Sequence, residues 1–298
     1  MRYTRRELRE LTEQGVDEMN PPILLDQDIY QGNDFSPFAL TDLLTAETKK
    51  QQQTFLHFWQ YNKTVIFGMK DTRTPFFTEG VQSIRKAGYT PVVRNSGGLG
   101  IVSDTGILNV SLLFPQTDDK KISIDDGYER MLALTRKAFP EAAIEAFEIS
   151  DSYCPGTYDL SISGKKFAGI AQRRIKNGIA VMMYLSVNGN QQARGELMRS
   201  FYQVSLKEAF GTDGYPAVKP EKMANLSDLL QQQLTVSEVK IRLATAFQNL
   251  MGQSVPLIPL SSTDWLQNYI SADEWETQLA RMADRNSILK EQQYDNSL

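Results

Sequence analysis

The chain has one histidine, His57, and one cysteine, Cys154, among 298 residues. A lone cysteine cannot close an internal disulfide, which points to a reducing, cytoplasmic setting. Together the two fall short of the three or four Cys/His ligands that a zinc site takes, so no metal is expected. A single imidazole also removes most of the side-chain chemistry on which catalysis near neutral pH leans. Long apolar runs are missing as well. The longest uncharged apolar stretch, Ile179 to Val187, is about half of the ~18 residues that a membrane span requires. Met1 to Glu13 mixes acids and bases without an apolar segment or a small-residue cleavage site, so it does not read as a secretory signal. Charge of one sign is not in excess: 32 Lys and Arg against 36 Asp and Glu leave a formal net charge of -4. That balance gives nucleic acid no basic footprint to bind.

What is present is an ordinary globular composition, 41% hydrophobic and 23% charged, with length for about two domains or one domain and an appendage. The pattern reads α+β, with largely antiparallel strands in the middle and helices packed at both ends. Thr4 to Glu13 has the character of a short solvated helix, followed by a loop-rich wrapping arm to about residue 40. Phe55, His57 and Trp59 alternate with Leu56, Phe58 and Gln60, and Lys63 to Met69 repeats the pattern, which predicts a hairpin turning at Tyr61-Asn62. A helix carrying Val81 and Ile84, capped by Thr78, stops at Gly88. A short strand, Thr90 to Arg94, precedes a glycine cluster, and a further strand covers Leu108 to Phe114. Ser123 or Asp125 opens a helix with Tyr128, Met131, Leu132, Thr135 and Phe139 on one stripe. Tyr158 to Ser163, Phe167 to Ile175 and Ile179 to Val187 read as three antiparallel strands, the last pair joined at Asn177-Gly178. Helical periodicity then returns at Leu197, Phe201 and Val204, and behind the capping boxes Thr235-x-x-Glu238 and Ser271-x-x-Glu274.

Three segments carry chemistry. In Arg94-Asn95-Ser96-Gly97-Gly98-Leu99-Gly100 the glycines let backbone turn sharply and let a ligand approach the main chain. The spacing is neither the dinucleotide fingerprint nor a phosphate loop, and a hairpin with a glycine bulge remains the plain alternative. Cys154 precedes Pro155-Gly156, a turn signal that places it in a loop, although lone cysteines also serve as small buried hydrophobes. Lys165 and Lys166 fall on opposite faces of a strand, so one of them points inward unless both sit at a solvated hairpin tip. An inward ammonium beside Cys154 would stabilise a thiolate without a histidine. His57 itself, on an alternating aromatic strand, reads as a packed or surface residue rather than a base.

Taken together, Arg94-x-Ser96-Gly97-Gly98-x-Gly100-x-Val102-x-Asp104, Leu108-Asn109-x-Ser111, Asp159-Leu160 and Lys166-Phe167-Ala168-Gly169-x-Ala171-Gln172-Arg173 resemble the biotin/lipoate-protein ligase and lipoate transferase superfamily. With Ser152-Tyr153-Cys154-Pro155-Gly156 ahead of Tyr158-Asp159-Leu160, the likeness is greatest to its octanoyl-[glycine cleavage H protein]:protein N-octanoyltransferase branch. Where ATP-dependent ligases carry a third consecutive glycine and a His-Asp pair, this chain has Leu99 and Ser103-Asp104. The resemblance implies a ligase-like catalytic domain over residues 44–250, between an N-terminal arm, 1–43, and a helical extension, 251–298. It implies Cys154 as acyl-thioester nucleophile and Lys166 as the group that activates it. Arg94, Ser96, Gly97, Gly98, Leu99, Gly100, Val102 and Asp104 would line the acyl tunnel, with Asn109, Asp159, Gly169 and Gln172 completing the binding residues. The activity implied is transfer of an octanoyl or lipoyl group from a lysine of the H protein to lysines of E2 lipoyl domains, with no cofactor, because an amide is exchanged for an amide. An ATP-dependent lipoate or octanoate ligase and a non-catalytic acyl-binding or scaffold protein are the alternatives.

Overall fold

The computed structural model describes residues 20–116, 121–252 and 255–290; the helix expected over Thr4 to Glu13 lies outside them. The strands are β1 (Ile23–Gln31), β2 (Phe55–Asn62), β3 (Thr64–Phe67), β4 (Thr90–Val93), β5 (Ile101–Ser103), β6 (Ile107–Pro115), β7 (Glu145–Ala146), β8 (Leu160–Ile162), β9 (Lys165–Ile175), β10 (Gly178–Ser186) and β11 (Ile258–Pro259). The helices are α1 (Ser36–Gln51), α2 (Phe77–Lys86), α3 (Ile124–Ala138), α4 (Gln191–Leu206), α5 (Leu226–Leu230), α6 (Val236–Met251), α7 (Ser262–Tyr269) and α8 (Ala272–Arg285). Eight strands form one sheet in the order β11-β1-β2-β6-β10-β9-β8-β7, and β4-β3-β5 form a second. β1 runs parallel to β2 and β11, and β3 parallel to β4; the remaining pairs are antiparallel. The α+β class with largely antiparallel sheets is therefore what the chain adopts.

Two expectations about strand pairing change. Residues 20–40 are not a loop: Ile23 to Gln31 pair with β2, so the expected arm is part of the main sheet from Ile23 onward. β2 and β3 are not a hairpin. The chain switches sheets at Lys63, whose φ of 39° turns it away from β2, and β3 pairs with β4 and β5 instead. The reason is burial. β2 from Phe55 to Tyr61 and all nine residues of β6 are buried, because helices and the second sheet cover both faces of these central strands. A strand buried on both sides has no polar alternation to report its partner.

The β8-β9-β10 meander forms as expected. Its first turn, Ser163-Gly164, has φ of 51° and 71°, the paired positive values of a two-residue hairpin turn. The second turn is Lys176-Asn177, one residue earlier than predicted, since Ile175 pairs with Gly178. Ser123 and Thr235 make full capping boxes on α3 and α6, and Ser271 caps α8, whereas α2 starts without help from Thr78. One face of the main sheet packs Leu56, Leu112, Val181 and Leu185 against Met131 and Leu134 of α3 and Leu243 and Phe247 of α6. The other face meets α1 and α7 through Phe55, Leu113, Ala180, Leu44 and Trp265. Beyond α1 that same face carries Asn109, Ser111, Met182, Tyr184 and Gly169, and there a cavity opens toward the second sheet. Among the described residues no helix is long and apolar enough to cross a membrane.

Candidate active site

The cavity encloses about 320 Å³, the lower range for a small-molecule site. Its walls are apolar where Phe38, Trp59, Ile66, Ile101 and Met182 contribute, and polar where the 94–98 and 153–158 loops and Lys166 approach. Cys154 sits on this wall, partly exposed, with its backbone in the left-handed region at φ 47°. Such a conformation in a non-glycine residue is uncommon and tends to mark sites where surroundings hold the backbone against its preference.

The glycine loop is not a hairpin. It connects β4 to β5 across β3, which lies between them. Leu99 N–H donates to Cys154 Sγ at 3.1 Å, and Arg94 Nη2 approaches the sulfur at 3.7 Å. Arg94 is anchored by Gly97 O through Nε and Nη2. Gly98 makes this convergence possible: its φ is +90°, and a Cβ there would stand 2.6 Å from Arg94 Nη2 and 3.0 Å from Sγ. The amide dipole and the guanidinium both present positive charge to the sulfur, the arrangement that a thiolate or a developing oxyanion requires.

Lys166 points inward and Lys165 outward, as strand alternation requires. The Lys166 ammonium is 3% exposed and is held by Asp159 Oδ1 at 2.9 Å, by the carbonyls of Cys154 at 2.7 Å and Tyr153 at 3.0 Å, and by Ser152 Oγ at 3.2 Å. It thus grips the backbone of the cysteine loop, while the hydrogen bonds to the sulfur come from Leu99 and Arg94. Burial holds the Asp159 carboxyl above the usual carboxylate range, against the opposing pull of the Lys166 charge.

The lipoyl protein ligase A/B catalytic domain model matches residues 33–248. The chain belongs to this family. It is 42% identical over 260 residues to the octanoyl-[GcvH]:protein N-octanoyltransferase of Exiguobacterium sibiricum, covering 86% of this chain and 91% of that one. It is equally 42% identical to the Anoxybacillus flavithermus protein of the same name, over 85% of this chain and 89% of that one. Among solved structures, a lipoate-protein ligase A bound with ATP superposes with a TM-score of 0.62 at 17% identity, covering 89% of this chain and 94% of that one. The ligase of a bipartite archaeal system from Thermoplasma acidophilum gives 0.58 at 18%, covering 90% and 93%. The family fold is thereby shared.

Within this member of the family, Arg94, Ser96, Gly97, Gly98, Asn109, Cys154, Lys166, Gly169 and Gln172 line the cavity. Leu99 contributes its amide and packs its side chain away. Gly100, Val102, Asp104 and Asp159 do not line it, which corrects the expectation that the whole 94–104 stretch would. Val102 is core. Asp104 instead pairs with the buried Arg194 at 2.7 Å and accepts from Tyr89 OH at 3.0 Å.

Sequence reading missed Asp42 and gave Arg173, although part of the lysine-loop motif, no partner. Arg173 donates to both Asp42 carboxylate oxygens and to Asn95 O, and Asn95 Nδ2 and Gln278 Nε2 also donate to Asp42. This node ties α1, β9, the glycine loop and α8 together across separations of up to 236 residues, and no local pattern announces it. The tyrosines Tyr128 and Tyr158, stacked at 4.8 Å on the cavity wall, were likewise visible only after folding.

Proposed function

We propose that the chain is an octanoyltransferase that takes its acyl group from the glycine cleavage H protein and delivers it to lysines of E2 lipoyl domains through a thioester on Cys154. The observation that carries the proposal is the sulfur itself, on the polar wall of an otherwise apolar cavity with the Leu99 amide and the Arg94 guanidinium directed at it. In the first step the Cys154 thiolate attacks the carbonyl carbon of the acyl-lysine amide. The C–S bond forms, the C–N bond breaks, and the donor lysine leaves as an amine after taking up a proton. In the second step the acceptor lysine amine attacks the thioester, loses a proton, and releases the thiolate. An amide replaces an amide, so no nucleotide is consumed.

The chain's own groups divide the work. Leu99 N–H and Arg94 counter negative charge at the reacting centre. Lys166, with Asp159, fixes the strained loop that presents the sulfur. Apolar side chains seat the tail, whose six or seven methylenes at about 0.8 kcal/mol each contribute roughly 5 kcal/mol of binding. A reducing compartment leaves the single thiol free for this role. The test is intact-mass analysis after mixing the chain with octanoylated H protein without ATP. An adduct of about 126 Da is expected on the wild type and none on Cys154→Ala. An adduct that persists in the variant, or transfer that requires ATP and free acid, would replace this reading with the ligase one.

A further inference from the structure

Against the glycine loop lies a fully buried pair that the proposed mechanism does not use. Asp71, in the turn after β3, and Tyr202, on α4, are both 0% exposed. Tyr202 OH donates to Asp71 Oδ1 at 2.8 Å, and Gly68 N–H donates to Asp71 Oδ2 at 2.7 Å. The phenol oxygen in turn accepts from Gly100 N–H at 3.3 Å. Gly100 is the residue after Leu99, so the chain of contacts runs from a buried carboxylate, through a phenol and one peptide, to the amide that donates to Cys154 Sγ. Gly68 also seats the loop directly: a Cβ on it would fall 1.9 Å from Gly98 O.

Direction matters in this chain. A phenol oxygen can accept from Gly100 N–H while its own proton goes elsewhere, and Asp71 takes that proton. Both Asp71 oxygens act as acceptors, which suits an ionised carboxylate best, since protonation would make one of them a donor and a poorer acceptor. We infer that Asp71 and Tyr202 are positioning residues for the Cys154 reaction, holding the 98–100 backbone so that the Leu99 amide faces the sulfur.

Three observations converge on it. The two side chains are buried without touching the cavity, they bond to the loop and to its seat at Gly68, and they share a field with the site. Arg94 and Lys70 favour the charged form of Asp71, Tyr215 lies within its field, and Tyr202 feels Cys154. Burial outweighs the stabilising groups and raises Asp71 to about 6. Acidification through that value protonates the carboxyl, turning one oxygen into a donor and weakening the bond it accepts from Gly68 or from Tyr202. The loop then loses its brace at mildly acidic pH.

The inference rests on the proposed role of Cys154, and its test does not need the protein substrate. The rate of Cys154 alkylation by iodoacetamide is measured from pH 5 to 8.5 in wild type, Tyr202→Phe and Asp71→Asn, with melting temperatures alongside. Tyr215→Phe, which removes a neighbouring phenol bonded to Lys70 O rather than to the loop, serves as the control. Tyr202→Phe and Asp71→Asn should react about three- to tenfold more slowly at pH 7.5, as expected for losing one buried hydrogen bond at the amide. The wild type should lose an additional factor as pH falls through about 6, a step absent from Asp71→Asn; Tyr215→Phe should keep the wild-type profile. Steady-state octanoyl transfer should show the loss in kcat with KM little changed. Variants that melt lower yet alkylate with the wild-type rate and profile would show a purely structural pair and overturn the inference. Should Tyr202→Phe fail to fold, the near-isosteric Asp71→Asn decides by the same criteria. Normal alkylation behaviour without any octanoyl adduct on the wild type would sink the proposed reaction while leaving the positioning intact.

Discussion

His57, the one histidine, sets a pH dependence that can be worked out in advance. Its ring is 0% exposed, Nε2 meets Gln27 Oε1 at 2.7 Å, and Nδ1 lies 3.3 Å from Thr41 Oγ1. Gln27 Nε2 donates to Tyr30 OH, which leaves Gln27 Oε1 to accept, so His57 Nε2 carries a proton. Burial, with a smaller contribution from the Lys240 charge, lowers its pKa to about 3, against about 6.5 in an unfolded chain. Between those values the unfolded state binds the extra proton, so stability falls as pH falls. At about 1.36 kcal/mol per unit, going from pH 8 to pH 5 removes about 2 kcal/mol.

Asp71 opposes this. Its folded pKa of about 6 lies above the unfolded value of about 3.9, so the native state binds the extra proton and the same acidification adds about 1.4 kcal/mol. From these two groups the wild type loses only about 0.6 kcal/mol, whereas His57→Gln should gain about 1.4 kcal/mol over the same range. Groups common to both chains cancel in the difference. Urea unfolding of both proteins at pH 8, 6.5 and 5 measures it. Stability curves that run parallel within about 0.5 kcal/mol would refute a buried neutral His57, whatever the absolute cost of the substitution.

Two further substitutions test what holds the site. Lys166→Met strands the Asp159 carboxylate, which is 1% exposed, and should destabilise the fold by about 3–5 kcal/mol in urea unfolding. Adding Asp159→Asn should recover part of that stability without restoring octanoyl transfer, because the carbonyls of Tyr153 and Cys154 remain ungripped; recovery of both would mean the ammonium has no part in presenting the cysteine. Asn286, 3% exposed on the turn after α8, accepts from Val93 N–H at 2.7 Å and donates to Val93 O at 3.1 Å, acting as a one-residue partner for the edge strand β4. Asn286→Ala leaves both groups unpaired and should lower stability by about 2–4 kcal/mol, read as a fall in thermal midpoint; a change below about 0.5 kcal/mol would show that β4 needs no such partner.

Much of this protein was decided locally. Ser123, Thr235 and Ser271 are followed at the third position by a carboxylate, and each starts its helix, because capping involves only one turn of backbone. The β8-β9-β10 meander followed from two short turns, and with it the inward direction of Lys166, since strand alternation has a fixed period. The lone cysteine in a Pro-Gly loop and the Gly97-Gly98-x-Gly100 cluster marked both halves of the site. What folding alone decided was every relation between distant segments. That β2 and β3 part into different sheets was not legible, because both faces of β2 are buried and no polar alternation names its partner. Lys166 grips the carbonyl of Cys154, and the donors to its sulfur come from a loop more than fifty residues earlier. Asp104, in the middle of the glycine motif, turns instead to Arg194, and Asp42 gathers Asn95, Arg173 and Gln278. Buried charge must find partners wherever the chain brings them, and sequence spacing carries no record of that choice.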